Sequence, residues 1–363
     1  MRHLQVAYIP EHLHEFSAAV FEHYGLSTAD AALAADVLVT ADCRGIHSHG
    51  LARLWAYVRL FEKGTLNPRP QLSIIRQSPS TAAVDGDNGL GLIVGPRAND
   101  MAMEKAAETG MAWVTVCNSS HYGIAGYYPL QALERNLIGW SMTNTSPVAA
   151  PLWGAVSTLG TNPIAVAFPA GSEPPIVIDM STAVASGGKV EVAQRKGKSL
   201  PTGWIIDSEG HPSIHPEDYF GGGSLLPLGG DYEHGGHKGY CLMSLVDLLA
   251  GVLSGANWGP YVPAFVLAQK STAPVGKGVG HCFAAMRIDA FMDLDEYRQR
   301  VDHWIQTIRA TKPAPGTNGP LIPGDPERQA EQECRKTGIA LTEKVIQQLQ
   351  KIGRQARIPF PTA

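Results

Sequence analysis

Apolar residues recur at helical spacing through residues 11–25 and 27–43, and again from Leu51 to about Gly64, so the chain opens with three predicted helices. Ser27-Thr28-Ala29-Asp30 has the form of a capping-box start, and Gly45 that of a stop. Ser48 has the chemistry of an N-cap for the third helix, which would put His49 and Arg53 four residues apart on one face beside the positive end of the helix. From residue 72 the texture changes. Short β-rich runs predict strands at 72–76, 81–85, 112–117, 138–144, 164–168 and 176–180, with helices at about 97–109 and 124–135. A Gly- and Pro-rich stretch spans 197–236, followed by an apolar helix over 240–253, a strand at 283–288, and helices near 295–310, 326–337 and 343–352. Pro-rich, linker-like segments near 66–80 and 312–326 divide the chain. The expected partition is a helical domain built from both ends, 1–80 with 290–363, around a β-rich domain over 81–289, in an α/β (α+β) class.

The 363 residues are 44% hydrophobic, enough for a large core, and the net charge of -4 is spread without a basic stripe. That balance argues against nucleic acid or an anionic membrane as partner and leaves small-molecule chemistry. No N-terminal apolar region and no run of membrane-spanning length is present. Five dispersed cysteines, Cys43, Cys117, Cys241, Cys282 and Cys334, contain no CxxC pair. They speak against a disulfide framework or structural zinc and suit a reducing cytoplasm.

Residues 44–53, Arg-Gly-Ile-His-Ser-His-Gly-Leu-Ala-Arg, collect a hydroxyl, an imidazole and a guanidinium within a short span. Arg53 can grip a carboxylate with two hydrogen bonds while His49 exchanges a proton with an oxygen on the adjacent carbon, a match to a 2-oxo or 2-hydroxy acid. A helix cap followed by solvated His and Arg is the competing account. Gly89-Leu90-Gly91-Leu92-Ile93-Val94-Gly95 reads GxGxxxG, the wrong spacing for a dinucleotide fingerprint, so close-packing glycines are expected and a Rossmann domain is not. Gly235-Gly236-His237-Lys238-Gly239 offers backbone donors and a cation at a helix start, suited to phosphate or to a plain surface turn. Asn118-Ser119-Ser120-His121-Tyr122-Gly123 sits at the carboxyl end of a strand, where ligand sites of α/β proteins concentrate. The Gly160-Thr161-Asn162-Pro163 turn can orient a carboxylate or amide, or be only a turn. His47/His49 and His234/His237 raise a metal site, but carboxylate partners at ligand spacing are not evident, and no metal is expected.

Taken in order, these segments, with Ile178-Asp179-Met180-Ser181-Thr182, Leu226-Pro227-Leu228-Gly229-Gly230, Arg287-Ile288-Asp289-Ala290-Phe291 and Pro323-Gly324-Asp325, resemble the type-2 malate/L-lactate dehydrogenase family. That family also includes sulfolactate, ureidoglycolate and diketogulonate oxidoreductases and cyclic imino-acid reductases. The resemblance implies a nicotinamide-binding domain that is not Rossmann, with a largely antiparallel sheet, a helical domain from both termini, and a homodimer. It implies that Ser48 and His49 are the catalytic pair, with His49 donating a proton in reduction and accepting one in oxidation, and that Arg53 clamps the substrate carboxylate. His121, Thr161 and Asn162 would steady substrate or nicotinamide amide. His121, Tyr122, Gly123, Ile124 and Ala125, together with Ile178, Asp179, Met180, His237, Lys238, Pro323, Gly324 and Asp325, would contact the cofactor. Lys189 stands where imino-acid reductases carry an acidic proton-relay residue, which points to the hydroxy-acid branch and gives it a catalytic place. Pro-Gly-Asp replaces the more usual Pro-Gly-Glu. The cluster Arg195, Lys196, Lys198 can meet a 2′-phosphate or simply solvate a helix end. NAD is therefore expected ahead of NADP, with a small carboxylate as substrate. The alternatives are a cyclic imino-acid reductase of the same family, a metal-dependent hydrolase using the His47/His49 cluster, or a non-catalytic binder.

Overall fold

The computed structural model describes residues 6–265 and 273–362. The chain begins with strand β1 (Val6–Tyr8), helix α1 (Pro10–His23) and helix α2 (Thr28–Cys43). The Ser27 hydroxyl accepts the Asp30 N–H at 3.2 Å, and Gly45 leaves the helix with φ 77°, so start and stop match the sequence reading. A single 3-10 turn over Leu51–Arg53 leads into α3 (Leu54–Glu62).

The central portion runs β2 (Ser73–Ser78), β3 (Thr81–Asp85), α4 (Gly91–Thr109), β4 (Met111–Ser119), α5 (Tyr127–Leu133), β5 (Leu137–Thr143), β6 (Ile164–Phe168), β7 (Ile176–Met180) and α6 (Gly187–Arg195). Short strands β8 (Ile205–Ile206), β9 (Pro212–Ser213) and β10 (Ser224–Leu225), with α7 (Pro216–Phe220) between the last two, form a small sheet. Helix α8 (Gly236–Val246) continues as a π-helical turn over Asp247–Val252, and β11 (Val279–Arg287) follows. The chain closes with α9 (Leu294–Arg309), α10 (Asp325–Thr337), β12 (Ile339–Leu341) and α11 (Glu343–Ala356).

Seven strands form the main sheet in the order β2-β3-β4-β11-β5-β6-β7. Every neighbouring pair is antiparallel except β3 with β4. The late strand β11 lies between β4 and β5, with Ala284 opposite both Trp113 and Trp140. Both chain ends meet: β1 pairs with β12, and Leu349 and Ile352 of α11 share a core with Leu13, Phe16 and Val20 of α1.

Three features differ from the sequence reading. First, α4 begins at Gly91 rather than near residue 97, so the expected close-packing glycines Gly91 and Gly95 lie inside the helix. A Cβ on Gly91 would lie 2.3 Å from the Ser120 carbonyl oxygen, and one on Gly95 would lie 2.6 Å from the Tyr128 ring. Second, β2 joins the main sheet, and α9 with the loop before it packs on that sheet through Met292, Leu294 and Tyr297 against Ile138 and Val166. The Asp302 carboxylate also accepts the N–H groups of Gly171, Ser172 and Glu173. Third, Cys43 at the end of α2 and Cys334 on α10 form a disulfide across 291 residues, Cα atoms 5.2 Å apart. The expectation of unpaired thiols is corrected here: spacing along the chain carries no information about two helices that meet only in the fold.

Candidate active site

The segment 44–53 is a compact irregular turn rather than the first turn of a helix, and Ser48 is not its cap. The N–H of Leu51 is bound instead by the Asp42 carboxylate at 2.7 Å. Ser48 turns its hydroxyl to His49, with Oγ 2.9 Å from Nδ1. This leaves Nε2 as the imidazole nitrogen available to a ligand. Arg53 folds back so that its Nε donates to the Ser48 carbonyl at 2.6 Å, and among the described residues its terminal nitrogens have no hydrogen-bond partner. A guanidinium held by one edge with its fork free is prepared for a carboxylate.

His121, from the loop after β4, stacks on His49 with ring centroids 5.5 Å apart. Its Nδ1 receives the Gly123 N–H at 3.3 Å and lies 2.7 Å from the Tyr57 hydroxyl. A backbone N–H only donates, so Nδ1 is the unprotonated nitrogen and Nε2 carries the hydrogen. His121 is thereby a neutral donor, in keeping with burial and the nearby His49 and Arg53, which hold its pKa well below the usual value. Gly91 permits this placement, since α4 passes directly behind the Ser120 and His121 carbonyls. Phe265 closes the stack, 4.1 Å from the His121 ring and 5.0 Å from Tyr57.

Burial, reinforced by the Arg53 charge, depresses the His49 pKa to about 4. Arg53 itself is influenced by Glu191 of α6, which brings that helix to the edge of the site. Lys189, on the same helix, is exposed and makes no side-chain hydrogen bond or ion pair among the described residues. Arg195 pairs with Glu191 at the end of α6, which ties up one member of the basic cluster.

The expected cofactor segments come together in part. Asp179 accepts the Gly126 N–H at 2.8 Å, and Val177 N–H donates to the Pro323 carbonyl at 3.0 Å, so residues 121–126, 176–180 and 323–325 are contiguous. Burial raises the Asp179 carboxyl to about 6. Tyr122, Ile124 and Ala125 have core side chains and can meet a ligand only through backbone. Gly324 packs with its Cα against Val177, and Asp325 is engaged by Arg309 at 3.2 Å, by Arg328, and by the Ile322 N–H at 3.0 Å. The Asp carboxylate thus braces its own turn.

His237 Nδ1 is buried and has no hydrogen-bond partner among the described residues, an orphan that a polar ligand would satisfy, while Lys238 is exposed at the start of α8. Asn162 is not presented to a ligand: it is fully buried, its amide oxygen taking the Thr145 N–H at 3.1 Å and its amide nitrogen donating to the Met243 carbonyl at 3.0 Å. Thr161 lies beside it, 3.4 Å from the Thr145 hydroxyl. The Asn162 side chain thus ties the turn before β6 to Thr145 and α8. Among the described residues no three His, Cys, Asp or Glu side chains converge as metal ligands.

Tyr57, Phe265, Glu191 and Asp42 were not assigned site roles by sequence reasoning. Tyr57 alone carried a usable signal, standing four residues beyond Arg53, one turn further along the same helical face.

A guanidinium with its fork unengaged, a half-buried imidazole and a second, neutral imidazole donor lie together, set on a sheet that is not Rossmann. The profile of the malate/L-lactate dehydrogenase family matches residues 9–350. A malate dehydrogenase from Pyrococcus horikoshii is 42% identical over 349 residues, covering 96% of this chain and 95% of that one. The solved structure of the sulfolactate dehydrogenase from Methanocaldococcus jannaschii superposes with a TM-score of 0.90 at 34% identity, covering 98% of each chain. A ureidoglycolate dehydrogenase (NAD(+)) from Escherichia coli O157:H7 is 32% identical over 339 residues, 93% of each chain. The chain belongs to the malate/L-lactate dehydrogenase family. It is an oxidoreductase that acts on the CH–OH group of small hydroxy acids.

Proposed function

We propose that this enzyme interconverts a small 2-hydroxy acid of the malate or lactate type and its 2-oxo acid with NAD. The observation that carries this reading is the free guanidinium fork of Arg53 beside the open Nε2 of His49. The two free nitrogens of Arg53 bind the substrate carboxylate and fix C2. His49 Nε2 gives a proton to the C2 oxygen in reduction and takes it in oxidation, and Ser48 holds the ring by Nδ1. His121 donates from Nε2 to the substrate oxygen or the nicotinamide amide, with Tyr57 and Gly123 fixing its tautomer. When bound, the nicotinamide supplies or receives the hydride at C2. The residues fit such a group: the contiguous segments 121–126, 176–180 and 323–325 would hold it through backbone groups, and the buried His237 Nδ1 has no partner among the described residues. NAD rather than NADP is supported by the occupied state of Arg195 and by the coenzyme named for the ureidoglycolate relative. The exposed Lys189 on α6, at the position where imino-acid reductases carry an acidic residue, supports the hydroxy-acid reading.

The depressed His49 pKa has a definite sign. In the free enzyme the ring is neutral at pH 7, poised as a base; a carboxylate on Arg53 offsets that cation and draws the pKa up. For oxidation, kcat/KM is expected to hold level as pH falls from 8 toward 5 and to drop only as His49 gains its proton near 4. For reduction, kcat/KM should climb as pH is lowered over the same range. Initial-rate profiles in both directions check this, and an oxidation profile already falling at neutral pH would contradict it.

No helix among the described residues is long and apolar enough to cross a membrane. Leu245, Leu248, Val252 and Leu253 form an exposed apolar stripe along the α8 helix and its π continuation, which supports a homodimer as the working unit. Equilibrium sedimentation should give twice the chain mass; a monomer at micromolar concentration would contradict the assignment.

A further inference from the structure

The turn that carries Ser48, His49 and Arg53 has almost no regular structure, yet both functional side chains depend on its geometry. Its backbone is tied at Gly45 to the Asp42 carbonyl (3.0 Å), at Ile46 to the Ala41 carbonyl (2.8 Å), at His49 to the Ile46 carbonyl (2.9 Å) and at Arg53 to the Gly50 carbonyl (2.8 Å). One side chain spans the turn. Asp42, at the end of α2, is 4% exposed, and its Oδ2 accepts the Leu51 N–H at 2.7 Å while its Oδ1 lies 2.8 Å from His47 Nδ1. Gly50 sits against the same carboxylate, where an added Cβ would fall 2.2 Å from Oδ2. The carboxylate therefore touches residues 47, 50 and 51, bracketing Ser48 and His49 on both sides. Arg53 is joined to that bracket through the Ser48 carbonyl. A buried carboxylate that loses a donor is costly, so the turn has one low-energy shape, fixed from below.

We propose that Asp42, with His47 as its partner, is the positioning residue of the reaction: it sets His49 and Arg53 relative to each other so that substrate carboxylate and proton-bearing nitrogen act on one molecule. The inference rests on the reading of His49 as the proton donor and acceptor. Asp42 touches neither substrate nor cofactor, and its effect is transmitted through the Leu51 N–H, the Gly50 contact and the His47 ring.

The test is Asp42→Asn in the full-length enzyme, followed by turnover of the 2-oxo acid, NADH binding by fluorescence, and thermal melting. The expected result is a kcat lower by about 10- to 100-fold, the scale of a misplaced reacting group. The dissociation constant for NADH should stay within twofold. Gly50→Ala, which presses on the same carboxylate, should reproduce the split, and the double variant should fall well short of the product of the two losses. Turnover within twofold of wild type overturns the proposal, and so does a parallel loss of turnover and NADH binding, the mark of a merely structural role. If Asp42→Asn does not fold, His47→Ala, which removes one of two donors, takes its place. It should lose about 3- to 10-fold in kcat with NADH binding kept, and an unchanged kcat overturns the proposal. His49→Ala separates the two levels. If it abolishes turnover while Asp42→Asn is normal, only this inference fails; if it leaves turnover intact, the underlying reading fails.

Discussion

His49→Ala is expected to lower kcat for reduction of the 2-oxo acid by about 10²- to 10⁴-fold, the usual worth of a positioned general acid. Coenzyme affinity should change little, because His49 meets the cofactor segments only by stacking on His121, which Tyr57 and Gly123 hold in place without it. The alanine leaves the His121 and Tyr57 pair standing, so the substrate oxygen still meets one donor. The pH dependence assigned to His49 should vanish with it, leaving a flat residual rate near neutrality. Steady-state kinetics with NADH titration reads all three quantities. Turnover close to wild type would remove His49 from the proton-transfer role.

Arg53→Ala should act on both parameters. Loss of two charge-assisted hydrogen bonds to the carboxylate raises KM by on the order of 100-fold, and loss of alignment lowers kcat by on the order of 10-fold or more. Arg53→Lys should recover little, since an ammonium cannot bind the Ser48 carbonyl through one edge and a carboxylate through a fork. Arg53→Ala also removes a cation that holds the His49 pKa down, so the acid limb of the oxidation profile should move toward higher pH. Kinetics across a pH series distinguishes this from simple loss of binding. An unaltered KM would place the carboxylate elsewhere.

Much of this was readable from the chain. Strands β3, β6 and β7 fall where alternation and β-branched residues placed them, and α2 begins and ends at its predicted signals. The constellation at Ser48, His49 and Arg53 was legible because its members lie within six positions. What was not legible depended on contacts across the fold. Asp42 replaces Ser48 as the donor-binding group of the turn because a carboxylate nine residues earlier in sequence is brought beneath Leu51 by the end of α2. Gly91 and Gly95 read as close-packing glycines, but the Ser120 carbonyl and the Tyr128 ring they pack against belong to other elements and were not legible. Asn162 has the chemistry of a ligand group and spends both its polar atoms inside the protein. The Cys43–Cys334 pairing and the packing of α9 on the main sheet are likewise properties of tertiary structure, on which periodicity is silent.

The most direct test of the central claim is the near-ultraviolet absorbance of reduced nicotinamide, followed with purified protein, NADH or NADPH, and a panel including oxaloacetate, pyruvate, sulfopyruvate and a cyclic imine. Loss of absorbance is expected with NADH and at least one 2-oxo acid, and none with the imine. Turnover of the imine alone would contradict the hydroxy-acid assignment.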